Sequence, residues 1–330
     1  MDTKFCNCYD VSMKKNILVT GAAGFIGFYL VQRLHSLGHK VLGYDNFNDY
    51  YPVTLKQDRT QFLKNLGVEV VKGDICEKEK LSELAKRHGI THIAHLAAQA
   101  GVRHSLTQPD DYVRSNLEGF VNILEICRHS SIKLTYASSS SVYGLNKKTP
   151  FSVEDPTDQQ ASLYGVTKKA NELMAFTYHH LYGIPVTGLR FFTVYGPWGR
   201  PDMAYYSFSK AILEGEPIKI FNHGKMQRDF TYIDDIIDGT IAAIDLEAPC
   251  ELFNLGHHHP EELNYFIELL EKYLGKKAEK IYLPMQPGDV VSTCADIEHS
   301  RIKLGFAPKI DLATGLKKFI DWFLIYNTKG

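Results

Sequence analysis

Tyr164 and Lys168 are the two residues whose types and spacing point first to chemistry. Residues four apart on an α-helix share a face, so their phenol and ammonium groups can point into one site. A positive charge beside a phenol lowers the pKa of the phenol, which would make a tyrosinate available as a base near neutral pH. The spacing alone is not specific. Three further pairs share it, namely Tyr143 and Lys147, Tyr206 and Lys210, and Tyr273 and Lys277.

A glycine-rich segment, residues 20–27 (Thr-Gly-Ala-Ala-Gly-Phe-Ile-Gly), predicts that the chain binds a dinucleotide. The segment stands between an apolar run that predicts a strand and a helical pattern. Gly21 permits the tight turn, Gly24 lets a pyrophosphate approach the backbone, and Gly27 allows the helix to pack closely on the strand. The helix that follows would direct its N-terminal amides at the phosphates.

The cofactor that this pattern predicts is NAD. Asp45 stands at the end of the second strand, where an acidic side chain can bond both hydroxyls of the adenosine ribose. No Arg or Lys directly follows Asp45 to receive a 2′-phosphate, so NAD is preferred over NADP. After the third strand, Asp74 and Ile75 are placed to meet the adenine. The other residues predicted to bind the cofactor are Phe25, Ile26, Asn46, Leu96, Ala97, Ala98, Gln99 and Asn116.

Short apolar runs alternate with amphipathic stretches through the first half of the chain. The runs predict strands over residues 16–20, 40–45, 68–71, 92–96, 134–137 and 186–190. The stretches predict helices over residues 80–88, 119–129 and 164–182, after a first helix with Ile26, Leu30, Leu34 and Leu37 on one stripe. Strands alternating with helices predict an α/β fold with a doubly wound parallel sheet, of the Rossmann type, whose ligands bind at the carboxyl ends of the strands.

The sequence pattern changes after about residue 195, where short segments rich in Pro, Gly and His alternate with helices predicted over 261–274 and 312–326. We therefore expect an NAD-binding Rossmann domain over 14–195. Residues 196–330 are expected to form mainly a smaller C-terminal α/β lobe that binds substrate, with segments that return to the main sheet. Residues 1–13 have no apolar core and predict a disordered extension, so the sequence leaves open whether Met1 or Met13 is the true start.

Composition excludes several other classes of protein. The 330 residues are 44% hydrophobic and 23% charged, and the net charge of −1 offers no basic field for nucleic acid. No apolar run approaches the roughly 20 residues that span a bilayer. Six scattered cysteines form no disulfide framework, which predicts a reduced, cytoplasmic protein. Neither the close pair Cys6 and Cys8 nor the run of histidines at 257–259 has the spacing of a metal site, so no metal is expected.

From Lys15 onward the chain resembles the extended short-chain dehydrogenase/reductase superfamily, and within it the NAD-dependent nucleotide-sugar epimerases. The three-residue spacing of the first two glycines and the Tyr-x-x-x-Lys pair carry the resemblance. Members have a Ser or Thr 25 positions before the catalytic Tyr, which implies a catalytic trio of Ser139, Tyr164 and Lys168. Tyr164 would remove a proton from a sugar hydroxyl while hydride passes to NAD, and Lys168 would hold the nicotinamide ribose. The hydride would then return to the opposite face of the keto-sugar.

The segment 192–203 (Phe-Thr-Val-Tyr-Gly-Pro-Trp-Gly-Arg-Pro-Asp-Met) is similar to that of UDP-glucuronate 4-epimerases, whereas UDP-glucose 4-epimerases have Asn at the position of Thr193. The resemblance implies that Arg200 pairs with the sugar carboxylate and that Thr193 adds a hydrogen bond. Arg103 is a second candidate beside the active site. In the same family, segments like 227–230 and 286–289 bind the UDP phosphates and the uridine ribose, which implies roles for Arg228 and Asp289.

The acid substrate sets a further requirement, because oxidising C4 of a glucuronate creates a β-keto acid that readily loses carbon dioxide. An epimerase must hold the carboxylate so that its bond to the ring stays misaligned with the carbonyl π-system. We expect Ser140, Ser141, Thr193 and Arg200 to supply this clamp. Related decarboxylases and dehydratases have an acidic residue in the triplet that is Ser139-Ser140-Ser141 here, so its absence argues against both of those reactions.

The sequence thus predicts an epimerase that interconverts UDP-glucuronate and UDP-galacturonate. It leaves three alternatives open: an epimerase for neutral UDP-sugars such as UDP-glucose or UDP-N-acetylglucosamine, a UDP-glucuronate decarboxylase, and a non-catalytic NAD-binding regulator. The resemblance also implies a homodimer formed through two helices of the Rossmann domain, one of them bearing Tyr164. A UDP-sugar is the expected partner, and neither nucleic acid nor a membrane is.

Overall fold

The main sheet forms because short, nearly continuous apolar strands are buried on both faces by helices. The computed structural model describes residues 14–285 and 290–328. Within them the main sheet has seven strands in the order β10-β6-β5-β4-β1-β2-β3, all parallel. Its strands are β1 (Asn16–Thr20), β2 (Lys40–Asp45), β3 (Val70–Lys72), β4 (His92–His95), β5 (Lys133–Ser139), β6 (Val186–Phe191) and β10 (Cys250–Leu255). The predicted doubly wound fold is confirmed, and β1 to β6 lie close to their predicted positions.

Helices cover both faces of this sheet and fill the C-terminal part of the chain. They are α1 (Phe25–Ser36), α2 (Val53–Asn65), α3 (Lys78–Arg87), α4 (Pro109–Tyr112), α5 (Gly119–Ser130), α6 (Leu163–Tyr182), α7 (Ala204–Glu214), α8 (Ile233–Leu246), α9 (Leu263–Leu274), α10 (Glu298–Leu304) and α11 (Leu312–Asn327). A π-helical turn over Val113–Glu118 joins α4 to α5. Helix α2 is absent from the sequence prediction.

The second part of the chain adds two small sheets and also contributes to the large one. One small sheet has the order β11-β9-β7, and the other pairs β12 with β8. Their strands are β7 (Thr193–Tyr195), β8 (Ile218–Phe221), β9 (Gln227–Tyr232), β11 (Pro260–Glu262) and β12 (Lys280–Leu283). Strand β10 returns to the edge of the main sheet beside β6. One cluster of buried apolar side chains runs from Val19 to Phe319, so both parts share a core.

Two expectations fall outside the described residues: the disordered extension over 1–13 and the substrate contact of Asp289. Across residues 14–285 and 290–328, no helix has both the length and the apolar character needed to cross a membrane.

Candidate active site

The glycine-rich turn joins β1 to α1 at the carboxyl edge of the main sheet. Gly21 adopts φ +74°, and a Cβ there would lie 2.8 Å from the backbone N of Ala97, so only glycine fits. A Cβ at Gly27 would overlap the carbonyl oxygen of Gly21, which is the close packing that the sequence predicts. No side chain caps the N-terminus of α1 at Gly24. Its amides are therefore available to an anion such as a pyrophosphate.

Asp45 ends β2 beside this turn, and its carboxylate already organises the backbone. Oδ2 accepts a hydrogen bond from the amide of Ala23 at 3.0 Å, and Oδ1 accepts one from the amide of Phe47 at 2.8 Å. A carboxylate has about four acceptor positions, so capacity remains for ribose hydroxyls. Lys56 of α2, which the sequence reading missed, lines the same end of the cleft and donates to the backbone oxygen of Asn48 at 2.7 Å.

A buried histidine supports the floor of the cleft under the ends of β1 and β4. His95 Nδ1 lies 2.8 Å from the Thr20 hydroxyl oxygen, which also accepts from the amide of Ala97 at 3.3 Å. Complete burial, together with the charge of Lys168, lowers the pKa of His95 to about 3. His95 is therefore neutral at physiological pH, and it fixes two strand ends without adding a second charge beside Lys168.

Asn116 serves the protein rather than lining the cleft. Its Oδ1 accepts from the amide of Gln99 at 2.8 Å, and its Nδ2 donates to the Gln99 carbonyl and to the Thr167 hydroxyl, each at 3.0 Å. Asn116 is buried within the π-helical turn. Since a π-turn shifts the register of a helix, it aims this side chain at the loop after β4. Asn116 was predicted to bind the cofactor. In the structure it holds Gln99 in place and does not line the cleft.

The first turn of α6 brings Tyr164 to the serine-rich end of β5. The Ser162 hydroxyl caps the helix by accepting from the amide of Gly165 at 3.1 Å. A Cβ on Gly165 would lie 2.8 Å from the carbonyl oxygen of Ser141, so this glycine lets the two segments approach. Ser139 and Tyr164 line the same cleft, and hydrogen bonding by Ser139 lowers the pKa of the Tyr164 phenol. The helix thereby brings Tyr164 to Ser139, the other hydroxyl group of the predicted catalytic trio.

Lys168 lies one turn further along α6, buried at the end of β5. Its Nζ donates to the carbonyl oxygen of Ala137 at 2.9 Å. Because burial penalises the charged form, the pKa of Lys168 is lowered to about 8. Ser139, Tyr164 and Lys168 all line one cleft together with the glycine-rich turn.

The net direction of the Tyr164 pKa differs from the sequence prediction. Burial raises it above the usual value, while the hydrogen bond from Ser139 and the charge of Arg200 lower it by less. Lys168 is not among the groups that lower it. Desolvation of the phenol, which depends on tertiary packing and leaves no local sequence signal, has the larger effect on this pKa.

Arg200 lies on the wall of the same cleft and already has a carboxylate partner. Its Nε donates to Asp202 Oδ1 at 3.0 Å, and its Nη2 donates to Oδ2 at 2.6 Å. Tyr50, from the loop after β2, donates its hydroxyl to Asp202 Oδ2 at 3.1 Å. Arg200 therefore has an ion-pair partner within the protein as well as a place in the cleft. Asp202 and Tyr50 had not been singled out.

Several other residues predicted to touch ligand lie away from the lining of the cleft. Asp74 accepts from the amide of Cys76 at 2.9 Å and pairs with Arg114 at 3.4 Å. Arg103 lies over the ring of Phe221, 4.9 Å from its centre. The remaining predicted residues outside the lining, among those described, are Ser140 and Ser141 in the turn after β5, Thr193 at the start of β7, and Arg228 on β9.

Arg59, also missed by the sequence reading, ties the two halves of the site together. This fully buried side chain of α2 donates to the carbonyl oxygen of Ala23 in the glycine-rich turn at 2.9 Å. It also donates to the carbonyl oxygens of Trp198 at 2.5 Å and Gly199 at 3.3 Å. Arg59 therefore links the cofactor turn directly to the segment that bears Arg200.

The cleft fits NAD by several independent features. Its open space, including the part that reaches solvent, is about 1370 Å³. The Nε2 of Gln99 is buried in its wall without a hydrogen-bond acceptor among the described residues, which leaves a donor for a ligand. The predicted residues that line it are Gly21, Gly24, Phe25, Ile26, Gly27, Asp45, Asn46, Ile75, Leu96, Ala97, Ala98, Gln99, Ser139, Tyr164, Lys168 and Arg200. These features suit the phosphates, the adenosine ribose and the nicotinamide end.

Among the described residues, His, Cys, Asp and Glu side chains form no group of three or more that could hold a metal ion. In the histidine run at 257–259, the backbone amides of His257 and His258 donate to the buried carboxylate of Asp229 at 2.6 and 3.0 Å. Asp229 therefore fixes the backbone of this histidine run.

Comparison with known proteins places this geometry in a family. The model of the NAD dependent epimerase/dehydratase family matches residues 17–256. UDP-glucuronate 4-epimerase 4 of Arabidopsis thaliana is 51% identical over 94% of this chain and 75% of its own length. A UDP-glucuronic acid 4-epimerase from Bacillus cereus, solved in complex with UDP-glucuronic acid and NAD, has a TM-score of 0.89 and 39% identity over 94% of this chain and 99% of its own.

A UDP-glucose 4-epimerase from Thermotoga maritima, solved with UDP-glucose, superposes with a TM-score of 0.86. It is 29% identical over 94% of this chain and 99% of its own. The family model covers well over half of the chain, and the relatives align along nearly all of it. The chain therefore belongs to the NAD dependent epimerase/dehydratase family.

Proposed function

We propose that this protein is a UDP-glucuronate 4-epimerase, which interconverts UDP-glucuronate and UDP-galacturonate through a transient 4-keto sugar with tightly bound NAD. The observation that carries the proposal is the position of Arg200 in the same cleft as Ser139, Tyr164 and Lys168. Arg200 and Tyr164 line one cleft, and the charge of Arg200 lowers the pKa of the Tyr164 phenol. The Arabidopsis and Bacillus relatives support the same substrate.

The proposed mechanism assigns one proton to Tyr164. As the phenolate, Tyr164 takes the proton from the sugar hydroxyl at C4 and becomes a neutral phenol, while Ser139 shares a hydrogen bond with that hydroxyl. NAD, held by the glycine-rich turn and Asp45, would supply the acceptor for the C4 hydride and the donor for its return. Once the keto-sugar has turned over, Tyr164 returns the proton to the C4 oxygen on the other face. Lys168, whose ammonium group is held by the Ala137 carbonyl, would hold the nicotinamide ribose.

The substrate also needs protection against loss of carbon dioxide. In the 4-keto sugar the bond between C5 and the carboxylate can break, leaving its electron pair in the C4 carbonyl as an enolate. We propose that Arg200 in the cleft holds the carboxylate away from that alignment. Thr193, Ser140 and Ser141 lie within two residues of the lining residues Phe192 and Ser139 and would assist it. No acidic side chain stands in the triplet 139–141 to assist the competing reaction.

The uridine diphosphate is proposed to bind in the lobe formed mainly by residues 196–330, against the Rossmann domain over 14–195. Arg228, at the start of β9, would pair with the phosphates. Asp289 would bond the uridine ribose. The two halves would close on the sugar between them, as ligands often bind where two parts of a chain meet.

The test is to incubate the purified protein with UDP-glucuronate, without added NAD, and to follow the products by NMR. UDP-galacturonate with its carboxylate retained is the expected product, and it would show that NAD copurifies. A UDP-pentose with released carbon dioxide would make the protein a decarboxylase. If nothing reacts even with NAD supplied, neutral UDP-hexoses are the next substrates, and failure there too would leave an NAD-binding regulator.

A homodimer is proposed from the apolar surface of α6. Leu173 and Phe176 are 58% and 60% exposed, and Val166 lies on the same helical face and is also exposed. Val121 of the neighbouring α5 adds to this surface. A contiguous exposed apolar face typically marks a protein interface. Sedimentation equilibrium should give twice the monomer mass, and Phe176→Glu should reduce it to one.

A cytoplasmic location is proposed on chemical grounds. Cys76, Cys127, Cys250 and Cys294 are all free thiols, as is usual in a reducing compartment. Fractionation of the source cells, followed by immunodetection, would test this; recovery in an oxidising compartment would contradict it.

A further inference from the structure

Arg200 belongs to a group of three side chains, and we propose that Asp202 and Tyr50 are positioning residues that fix the direction in which Arg200 meets the substrate's carboxylate. This inference rests on the proposed function and deepens it. Asp202 takes the Nε and Nη2 side of the guanidinium, at 3.0 and 2.6 Å. The pairing with Asp202 does not use Nη1, so we infer that this end of Arg200 meets the ligand.

Tyr50 holds the pair from its other side. Its hydroxyl donates to Asp202 Oδ2 at 3.1 Å, and the guanidinium of Arg200 lies 5.7 Å from the centre of its ring. Burial and the Asp202 charge raise the pKa of Tyr50 to about 12, so its hydroxyl remains a donor. A Cβ on Gly101 would lie 2.7 Å from that hydroxyl, and the His104 ring is centred 4.7 Å from the Tyr50 ring. The loop after β4 thus packs directly on Tyr50.

The backbone around the three residues is anchored as well. Arg59 holds the carbonyl oxygens of Trp198 and Gly199, which directly precede Arg200. The amide of Arg200 itself donates to the Tyr205 hydroxyl at 3.1 Å. On the opposite side, Lys56 holds the loop of Tyr50 through Asn48. Both ends of the group are therefore fixed before substrate arrives.

Fixing Arg200 in advance has two consequences for an acidic sugar. Arginine loses side-chain entropy when it binds, and a preorganised guanidinium has less to lose. The paired Asp202 also cancels much of the positive charge. Arg200 then recognises the carboxylate by the direction of its remaining N–H groups rather than by excess charge. Suppressing decarboxylation requires that the carboxylate be held in a fixed orientation, and directed N–H groups can supply this.

The test compares Asp202→Asn and Tyr50→Phe with the wild type, using the NAD-loaded enzyme. Asp202→Asn should lower kcat for UDP-glucuronate about tenfold, the equivalent of two weakened hydrogen bonds. It should also raise the fraction of product that is UDP-pentose. Tyr50→Phe keeps both charges and should shift both readouts in the same direction by less. The affinity for UDP, measured by titration calorimetry, should stay within about twofold in both variants, because UDP lacks the sugar.

Asp49→Asn is the matched control, since Asp49 is exposed in the same loop and the change removes the same charge. It should leave kcat and the product ratio unchanged. The inference is overturned if Asp202→Asn keeps both kcat and the product ratio, or if it weakens UDP binding as much as it lowers kcat. If Asp202→Asn does not fold, wild-type kcat and product ratio in Tyr50→Phe would overturn it instead. Failure of the wild type to convert UDP-glucuronate would reject the proposed function separately.

Discussion

Glu172 and Arg190 form a bidentate ion pair in the interior, with Nε 2.8 Å from Oε1 and Nη2 2.9 Å from Oε2. Both side chains are 2% exposed. The Ser138 hydroxyl donates to the same Oε1 at 2.7 Å, and Arg190 Nη1 donates to the Tyr143 hydroxyl at 3.0 Å. Glu172 lies one helical turn beyond Lys168. The pair therefore joins α6, β5 and β6, and α6 and β5 bear the proposed catalytic trio.

Glu172→Gln is expected to destabilise the protein strongly, because it leaves the Arg190 charge buried without a counter-ion. Breaking a buried pair from one side typically costs about 3–5 kcal/mol. The free energy of unfolding in urea measures the effect. Lys169→Gln is the control, since Lys169 contacts Glu172 at 3.3 Å but is itself 26% exposed, and it should cost less than about 1 kcal/mol. Equal losses in the two variants would contradict this account of the pair.

Tyr164→Phe removes the proposed proton carrier while keeping the ring that packs edge-on against Tyr112 at 6.1 Å. The turnover number should fall about 10²- to 10⁴-fold, the usual contribution of general acid–base catalysis. The NAD content of the purified protein and its melting temperature should be unchanged. Turnover is read from NMR of the UDP-sugars. Activity within a few-fold of the wild type would remove Tyr164 from the proposed mechanism.

Lys168→Met tests whether the buried lysine lowers the stability of the protein while serving its activity. Burial lowers the pKa of Lys168 to about 8, so below that pH the folded state carries a penalty that the unfolded chain lacks. Removing the charge should stabilise the cofactor-free protein by about 2 kcal/mol at pH 7, after subtracting the lost bond to Ala137. The advantage of Met should be full below pH 8 and should disappear as pH rises toward the unfolded value of Lys, near 10.5. Urea titrations across pH 6–10 measure it, and activity should be lost. A less stable variant at pH 7 would show that desolvation is not the dominant effect.

The alternation of strands and helices could be predicted because each strand from β1 to β6 is a compact apolar run between breaking residues. The first helix shows the limit of such patterns. Leu37 was placed on its buried stripe but is 53% exposed, whereas Phe28 and Val31 are buried. Helix α1 packs against both α2 and α8, so its buried face is wider than one stripe.

Helix α2 could not be predicted in this way, because two of its buried residues are charged. Lys56 and Arg59 occupy positions where a pattern of apolar residues would be sought. Arg59 also bonds to Trp198, 139 residues away, and such a contact leaves no local signal. Of the site, the glycine turn, Asp45 and the catalytic trio were predictable from spacing and resemblance. Their supporting partners depend on long-range packing.

The low pKa of Glu247 predicts part of the stability that the folded protein loses at acid pH. Burial raises the pKa of its carboxyl, but hydrogen bonds from Lys133 and His92 outweigh burial and lower it to about 2. Since the folded pKa lies below the unfolded value, the stability that Glu247 contributes is present above about pH 4.5 and is lost as pH falls toward 2. Glu247→Gln should therefore reduce stability at pH 7 and flatten its loss between pH 5 and 2. Urea midpoints measured across this range would contradict the assignment if both proteins lost stability in parallel.

Asp45→Asn tests the choice of cofactor, and its outcome follows from what the carboxylate does. Asp45 accepts hydrogen bonds from the backbone amides of Ala23 and Phe47, one on each carboxylate oxygen. Asn has a single side-chain oxygen, so it can replace these acceptors only in part. The loss of charge-assisted bonds to two ribose hydroxyls should weaken NAD binding about 10- to 100-fold. Discrimination against NADP should fall as well, since the repulsion of a 2′-phosphate disappears and Lys56 lines the same end of the cleft. Titration of the cofactor-stripped protein with each dinucleotide measures both effects, with Asp49→Asn as the control. If Asp45→Asn weakens NAD and NADP equally, the carboxylate supports the glycine-rich turn but does not select the cofactor.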